Sequence, residues 1–150
     1  MVAAASDGVW CGVAADVLLE DALRTPPVIE SAAGHWCVGG THSRMADDRV
    51  VCWSPPQQAT ETYAVDAEIA DQPVPAHLGH RWQGEARAHR SFWSAWCASE
   101  VCAKLLDIPI VVLAARGPVS VSPVLLDGRV VTYVERRQGD IVMVFGVMTT

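Results

Sequence analysis

The sequence is poor in charge, and it lacks both a long hydrophobic run and a closely spaced cysteine pair. Charged residues make up 19% of its 150 residues against 51% hydrophobic residues, which excludes a disordered chain and supplies enough apolar matter for a core. Apolar runs such as Ile108–Ala115 fall far short of the roughly 20 residues of a membrane-spanning helix. The length predicts that residues 1–150 form a single domain.

Basic residues are scarce as well, because 11 Lys and Arg oppose 17 Asp and Glu and give a formal net charge of −6. An acidic chain of this size is a poor candidate for binding nucleic acid or an anionic membrane surface. No Lys or Arg precedes Arg24, whereas Asp7 and Asp16 do, which is not the pattern of a signal peptide. We therefore expect a cytoplasmic protein.

The cysteines are odd in number and irregular in spacing, and without a C-x-x-C pair they do not predict structural zinc. A reducing cytoplasm keeps thiols free. We therefore expect free thiols at all five positions, which are Cys11, Cys37, Cys52, Cys97 and Cys102.

The distribution of apolar residues predicts an α+β fold of short strands, a buried helix and a final meander. Ser91–Leu106 is apolar on nearly every side, which is typical of a buried helix. Asp127-Gly128 lies between two apolar runs and predicts a hairpin. The other predicted elements are a helix at Val13–Leu23, a helix-permissive stretch at 76–90, strands at Trp36–Val38, Arg49–Trp53, Thr62–Ile69 and Ile141–Met148, and a β pattern from Ile108 onward.

Two charged residues stand out on the predicted buried helix. Glu100 and Lys104 are four apart and therefore share one helix face, which also carries two tryptophans. The ordinary alternative is a surface ion pair that contributes about 0.2–0.5 kcal/mol. Charges inside an apolar stripe require a partner or a ligand, so a functional pair is equally compatible with this helix.

Asp66 and Glu68 form a second candidate group on a predicted strand. Being two apart, they project from the same face, where two carboxylates repel unless a cation or a proton lies between them. The polar outer face of an edge strand would explain them equally well. Together with Glu100, however, they would form an oxygen site suited to Mg²⁺, which commonly takes a substrate phosphate as a further ligand.

A third group follows Gly39-Gly40, where glycines let the backbone approach a ligand closely. Thr41, His42 and Ser43 could meet phosphate oxygens there, although a loop histidine is more often simply solvated. The three groups, in this order, resemble the surfactin-synthetase type of 4′-phosphopantetheinyl transferase. The family blocks read roughly S-H-S, G-[IV]-D-x-E and W-x-x-K-E-[AS]-x-x-K, and the corresponding segments are Thr41–Ser43 (THS), Val65–Glu68 (VDAE) and Trp96–Lys104 (WCASEVCAK).

The resemblance extends over about residues 24–148, because Arg24–Pro27, Phe92-Trp93 and Gly139–Val147 also look like family segments. It implies a transferase-like half with a short antiparallel sheet packed on a buried helix. It also implies Mg²⁺-dependent transfer of the phosphopantetheine arm of coenzyme A to a serine of an acyl- or peptidyl-carrier protein. The implied roles are catalysis by Glu100 and Lys104, metal binding by Asp66, Glu68 and Glu100, and coenzyme A binding by Arg24, His42, Ser43 and Lys104.

The chain also departs from the family pattern. Ser99 replaces the first lysine of the helix block, Ala64 replaces a glycine, and Thr41 replaces a serine. Surfactin-type enzymes are about twice as long and fold as two similar halves, which leads us to expect a homodimer or another oligomer. A repurposed or inactive relative, acting as a tailoring enzyme such as a cyclase or as a binding subunit in natural-product biosynthesis, is the main alternative. An unrelated α+β domain is the other.

Overall fold

The computed structural model has an α+β architecture with two antiparallel sheets, and it describes residues 7–33, 37, 39–82 and 89–150. None of the helices in these ranges is long and apolar enough to cross a membrane. The helices are α1 (Asp7–Ala22), α2 (Ala76–Gly79), α3 (His89–Leu106) and α4 (Ile110–Ala114), and a 3₁₀ turn covers His80–Trp82. The strands are β1 (Val28–Ser31), β2 (Thr41–Arg44), β3 (Arg49–Trp53), β4 (Glu61–Ile69), β5 (Val124–Leu126), β6 (Arg129–Gln138) and β7 (Ile141–Thr149).

The larger sheet has four strands in the order β4-β7-β6-β5, with the almost entirely apolar β7 inside it. Strand β4 runs along β7 over its whole length, so that Asp66 lies opposite Val144. Asp127 and Gly128 both have positive φ values, 50° and 75°, and join β5 to β6 in the two-residue turn that Asp-Gly favours. The larger sheet is therefore a meander closed by β4.

The smaller sheet and α1 cover one face of the larger sheet. Its strand order is β1-β3-β2, and Trp53 of β3 packs edge-to-face on Phe145 of β7 with ring centroids 4.9 Å apart. Leu19 of α1 belongs to the same apolar cluster. On β4 and β7, the side chains of this cluster alternate with side chains that face the other way. The members of the cluster on these two strands are Tyr63, Val65, Ala67, Ile141, Met143, Phe145 and Val147.

Helix α3 covers the opposite face of the larger sheet, against β4 and β7. The helix approaches β7 closely at Gly146, where a Cβ atom would overlap Val101 and come within 3.2 Å of Leu105. Two apolar layers thus enclose β7, and the close contact fixes the height of α3 above the sheet.

Most of the predicted regular elements are confirmed, with shifts at their ends. The helix predicted at Val13–Leu23 begins at Asp7, and the buried helix, the Asp-Gly hairpin and the strands at 49–53, 62–69 and 141–148 are present. In the helix-permissive stretch 76–90, α2 and the 3₁₀ turn form, and residues 83–88 lie outside the described part. The strand predicted at Trp36–Val38 also lies outside it, apart from Cys37.

Two local predictions are wrong, and one strand was missed. The β pattern expected from Ile108 is wrong at α4, because short apolar runs do not distinguish helix from strand and Pro109 begins a new helical turn. The block Thr41–Ser43 is part of a strand rather than a loop, and the short strand β1 was not predicted. Tertiary pairing with β3 organises both strands, since β3 lies between them.

The expectation of free thiols at every cysteine is also wrong, because Cys37 and Cys52 form a disulfide with their Cα atoms 5.9 Å apart. The pairing could not be read from the spacing, since it depends on the β2–β3 hairpin folding back on itself. Cys97 and Cys102 are free and buried in α3, as expected.

The close contact at Gly146 predicts a measurable packing effect. Gly146→Ala should lower the free energy of unfolding by about 1–3 kcal/mol, because the added methyl group overpacks the α3–β7 contact. Gly79→Ala is the matched control, since its Cβ would meet only Val74 at 3.5 Å. Urea unfolding of the two variants measures the difference, and equal stability would show that α3 can move away from β7 freely.

Candidate functional site

The candidate site lies at the free edge of β4, on the face of the sheet that α3 covers. Alternation along β4 turns Ala64, Asp66 and Glu68 toward α3, while Val65 and Ala67 point into the opposite core. Asp66 is only 5% exposed, so its carboxylate is held within the protein rather than in solvent. A buried carboxylate requires compensation by a charge or by hydrogen bonds.

Lys104 of α3 supplies that compensation. Its Nζ donates to Asp66 Oδ1 at 2.9 Å and to the backbone carbonyl of Val65 at 2.8 Å. It also donates to the carbonyl of His42 at 3.2 Å, so one ammonium group joins α3, β4 and β2. These three contacts use the three donors of the ammonium group.

The Thr41–Ser43 block completes the edge of β4. The Val65 N–H donates to Thr41 Oγ1 at 3.2 Å, which satisfies a backbone donor that no neighbouring strand meets. The hydroxyl of the buried Ser43 donates to Asp66 Oδ1 at 2.9 Å and lies 3.3 Å from the carbonyl of Ala67. His42 is exposed and directs its carbonyl, rather than its ring, to Lys104.

Glu68 and Glu100 extend the negative charge around Asp66. Burial, reinforced by the charges of Asp66 and Glu100, raises the pKa of Glu68 to about 7, although a 2.8 Å hydrogen bond from Gln72 opposes the shift. Burial and the Asp66 charge also raise the pKa of Glu100. The Lys104 charge lowers both pKa values but does not cancel the effects that raise them.

The donor set at this edge fits a hard divalent cation in its chemistry. Asp66 Oδ2 is buried with no hydrogen-bond partner among the described residues. The thiol of Cys97, a weak donor, also lies beside the Asp66 carboxylate. Burial and the charges of Asp66 and Glu68 raise the Cys97 pKa, so that thiol stays protonated. In the described ranges, however, no three His, Cys, Asp or Glu side chains are already grouped closely enough to hold a metal. The carboxylates would have to draw together around an ion.

An open cleft of about 550 Å³ leads from solvent to Glu68. Arg44 and Asp48 of the β2–β3 hairpin form one side, and they pair with each other at 2.7 Å. Gln72 and Trp93 form the other side, with the Trp93 indole N–H bonded to the Gln72 carbonyl at 2.9 Å. The cleft gives a molecule from solution access to the carboxylate cluster.

Ser99, the departure from the family helix block, has a structural role. Its hydroxyl donates to the Ala95 carbonyl at 2.8 Å and accepts from the Val119 N–H at 3.1 Å, and the residue is fully buried. This joins the segment after α4 to α3. A lysine here would have to bury its charge or displace that segment, so the missing positive charge follows from local packing.

Arg24 lies apart from the cluster. It follows α1, which packs on the face of the sheet opposite α3, and it pairs with Asp21 at 3.5 Å in an exposed position. It lines a separate cleft of about 360 Å³. The structure therefore brings together His42, Ser43, Asp66, Glu68, Glu100 and Lys104 but leaves Arg24 elsewhere.

The chain matches no protein-family model, and no curated protein or solved structure is significantly similar to it. The resemblance to the transferases therefore depends on its three sequence blocks.

The raised pKa of Glu68 predicts a pH-dependent stability. A carboxyl group with a folded pKa near 7 stabilises the protein fully below its ordinary value near 4.5, and this contribution is lost as the pH rises through 7. Between pH 5 and pH 8, the wild type should therefore lose on the order of 2 kcal/mol relative to Glu68→Gln. Urea unfolding at both pH values measures this difference. A constant difference would contradict the account.

Proposed function

We propose that this chain transfers the 4′-phosphopantetheine arm of coenzyme A to a serine of an acyl- or peptidyl-carrier protein, using Mg²⁺. One observation carries the proposal: the three blocks that resemble the transferases meet at one carboxylate. Ser43 and Lys104 both bond Asp66 Oδ1 at 2.9 Å, although they lie 23 and 38 residues from it in the sequence. The charge of Asp66 also raises the Glu100 pKa, which brings the helix carboxylate into the same cluster.

In this reaction, the phosphoanhydride bond of coenzyme A breaks and the serine oxygen bonds to phosphorus, while 3′,5′-ADP leaves and the serine proton passes to solvent. Asp66, Glu68 and Glu100 would hold Mg²⁺, which supplies positive charge to the pyrophosphate. Lys104 exchanges its contact with Asp66 for a hydrogen bond to a phosphate oxygen of the substrate. His42 and Ser43 lie next to each other on β2 and are available for further contacts with the substrate. Such transfer depends on positioning and on neutralising charge, which these groups provide.

The open cleft at Glu68 is the proposed route for the acceptor serine. The Arg44 and Asp48 side of this cleft lies at the protein surface, where a carrier protein could approach. We place the reaction in the cytoplasm and in polyketide or nonribosomal peptide biosynthesis. The proposal gives Arg24 no contact at the cluster, and its role in binding coenzyme A stays a prediction.

Two observations favour the alternative of a repurposed relative. Lys104 has all its donors engaged by protein acceptors, and the described carboxylates are not grouped closely enough for a metal as they stand. A binding subunit or a tailoring enzyme such as a cyclase would keep this arrangement as architecture. Binding of Mg²⁺ and coenzyme A without any transfer would favour it.

Self-association completes the proposal. Val121, just before the edge strand β5, and Leu125, on β5, are 70% and 69% exposed and form an apolar surface that a second copy could cover. Light scattering at micromolar concentration should give about twice the monomer mass. Leu125→Glu should restore the monomer, because a charge would be buried at the contact. A monomeric wild-type protein would contradict the proposed self-association.

Catalysis is tested with variants in a transfer assay on an apo carrier protein. Glu100→Gln should slow the transfer on the order of 100-fold or more, because it removes a charge at nearly constant volume. Lys104→Ala should also slow it severely. Mass spectrometry of the carrier protein measures the transfer.

Glu20→Gln is the matched control for Glu100→Gln, since Glu20 is exposed on α1. Circular dichroism must show that each variant is folded, above all Lys104→Ala, which leaves the buried Asp66 without its cation. Normal transfer by folded Glu100→Gln would rule out the assigned role.

A further inference from the structure

The Cys37–Cys52 disulfide lies beside the candidate site. Cys52 is on β3 and pairs directly with His42 of β2, and Cys37 precedes the Gly39-Gly40 turn into β2. Residues 45–48 already join β2 to β3 at one end of the hairpin. The disulfide therefore closes the other end, where two glycines would leave the chain free to move.

Strand β2 passes any movement directly to the carboxylate cluster. Its three consecutive residues Thr41, His42 and Ser43 each contact β4 or Lys104, through the Val65 amide, the Lys104 ammonium and the Asp66 carboxylate. These are the contacts that hold Asp66 Oδ1 and the free edge of β4. Greater mobility at the beginning of β2 would weaken the contacts of Thr41 first, then those of His42 and Ser43.

The cysteines whose side chains the structure describes differ in their access to a reductant. Cys37 and Cys52 are both partly exposed, whereas Cys97 and Cys102 are buried, with burial raising the pKa of each thiol. Exchange needs an accessible sulfur and a thiolate, so a reductant from solution reaches the Cys37–Cys52 pair and the buried thiols do not compete with it.

We propose that Cys37–Cys52 is a reversible thiol–disulfide modification site that controls the order of β2 and, through it, the Asp66 cluster. The reductant is a dithiol. Its thiolate attacks one protein sulfur, and its second thiol then releases the mixed disulfide. The protein S–S bond breaks, two protein S–H groups form, and the reductant becomes a cyclic disulfide. In the cytoplasm, the location proposed above, disulfides are commonly of this transient, sensing kind.

The order of β2 is measured by hydrogen exchange and mass spectrometry on the intact protein, with and without dithiothreitol. Reduction should speed exchange about tenfold or more in peptides covering residues 39–44 and in the Val65 amide. Peptides from β6 and β7 serve as the internal control and should not change, because their pairing does not involve the disulfide. The double variant Cys37→Ser, Cys52→Ser should exchange at the rates of the reduced wild type, and dithiothreitol should not change those rates.

Three results would overturn the inference. Alkylation of Cys37 and Cys52 in folded protein kept free of reductant would show that the bridge does not form. Unchanged exchange in residues 39–44 after reduction would show that the bridge does not order β2. Faster exchange in the whole protein, including β6 and β7, would show that the disulfide stabilises the entire fold and does not specifically order β2.

The control of transfer rests on the proposed function and is measured separately. Transfer to an apo carrier protein should fall several-fold on reduction of the wild type and should not respond in the double serine variant. If neither redox form transfers, the proposed function fails, and the exchange experiment still decides whether the disulfide controls β2.

Discussion

The ammonium group of Lys104 is the interaction on which the arrangement of the site depends. It is the point where a helix, an edge strand and the strand of the smaller sheet meet, through one carboxylate and two backbone carbonyls. Asp66 is buried, so its charge would be strongly unfavourable without this cation. The carbonyl of Val65 would also lack a partner at the open edge of β4. The same ammonium group thus neutralises Asp66 and provides a hydrogen-bond donor for the edge of β4.

The position of this ammonium group follows from the packing of the larger sheet. β7 is apolar on both faces, so α3 must cover one of them while α1 and β3 cover the other. Gly146 lets α3 lie close to the sheet, and Ser99 fixes the next segment to the helix. The helix face carrying Glu100 and Lys104 is thereby directed along β4. The chemistry of the site therefore rests on a well-packed apolar layer.

The elements of the site are predictable from the sequence because two simple periods govern them. A spacing of two puts Asp66 and Glu68 on one face of a strand, and a spacing of four puts Glu100 and Lys104 on one face of a helix. The contact between Lys104 and Asp66 is not predictable in this way, because it depends on the height and direction of α3 above the sheet. The strand character of Thr41–Ser43 was not predicted for a similar reason, since those polar residues pair only when β3 lies beside them. The Cys37–Cys52 disulfide was not predicted because the same β2–β3 pairing brings the two cysteines together.

The cluster has an unequal charge balance, which protonation of the glutamates or the proposed cation would correct. Asp66, Glu68 and Glu100 share one ammonium group, and burial disfavours the charged forms of both glutamates. A dication bound with a pyrophosphate would let the carboxylates draw together and would release Lys104 toward phosphate. A structure of the wild-type protein in crystals soaked with coenzyme A and Mg²⁺ tests this most directly. The account predicts pyrophosphate beside Asp66, with Lys104 turned from Asp66 to a phosphate oxygen. An intact Asp66–Lys104 pair, with coenzyme A bound at a distant surface, would contradict it.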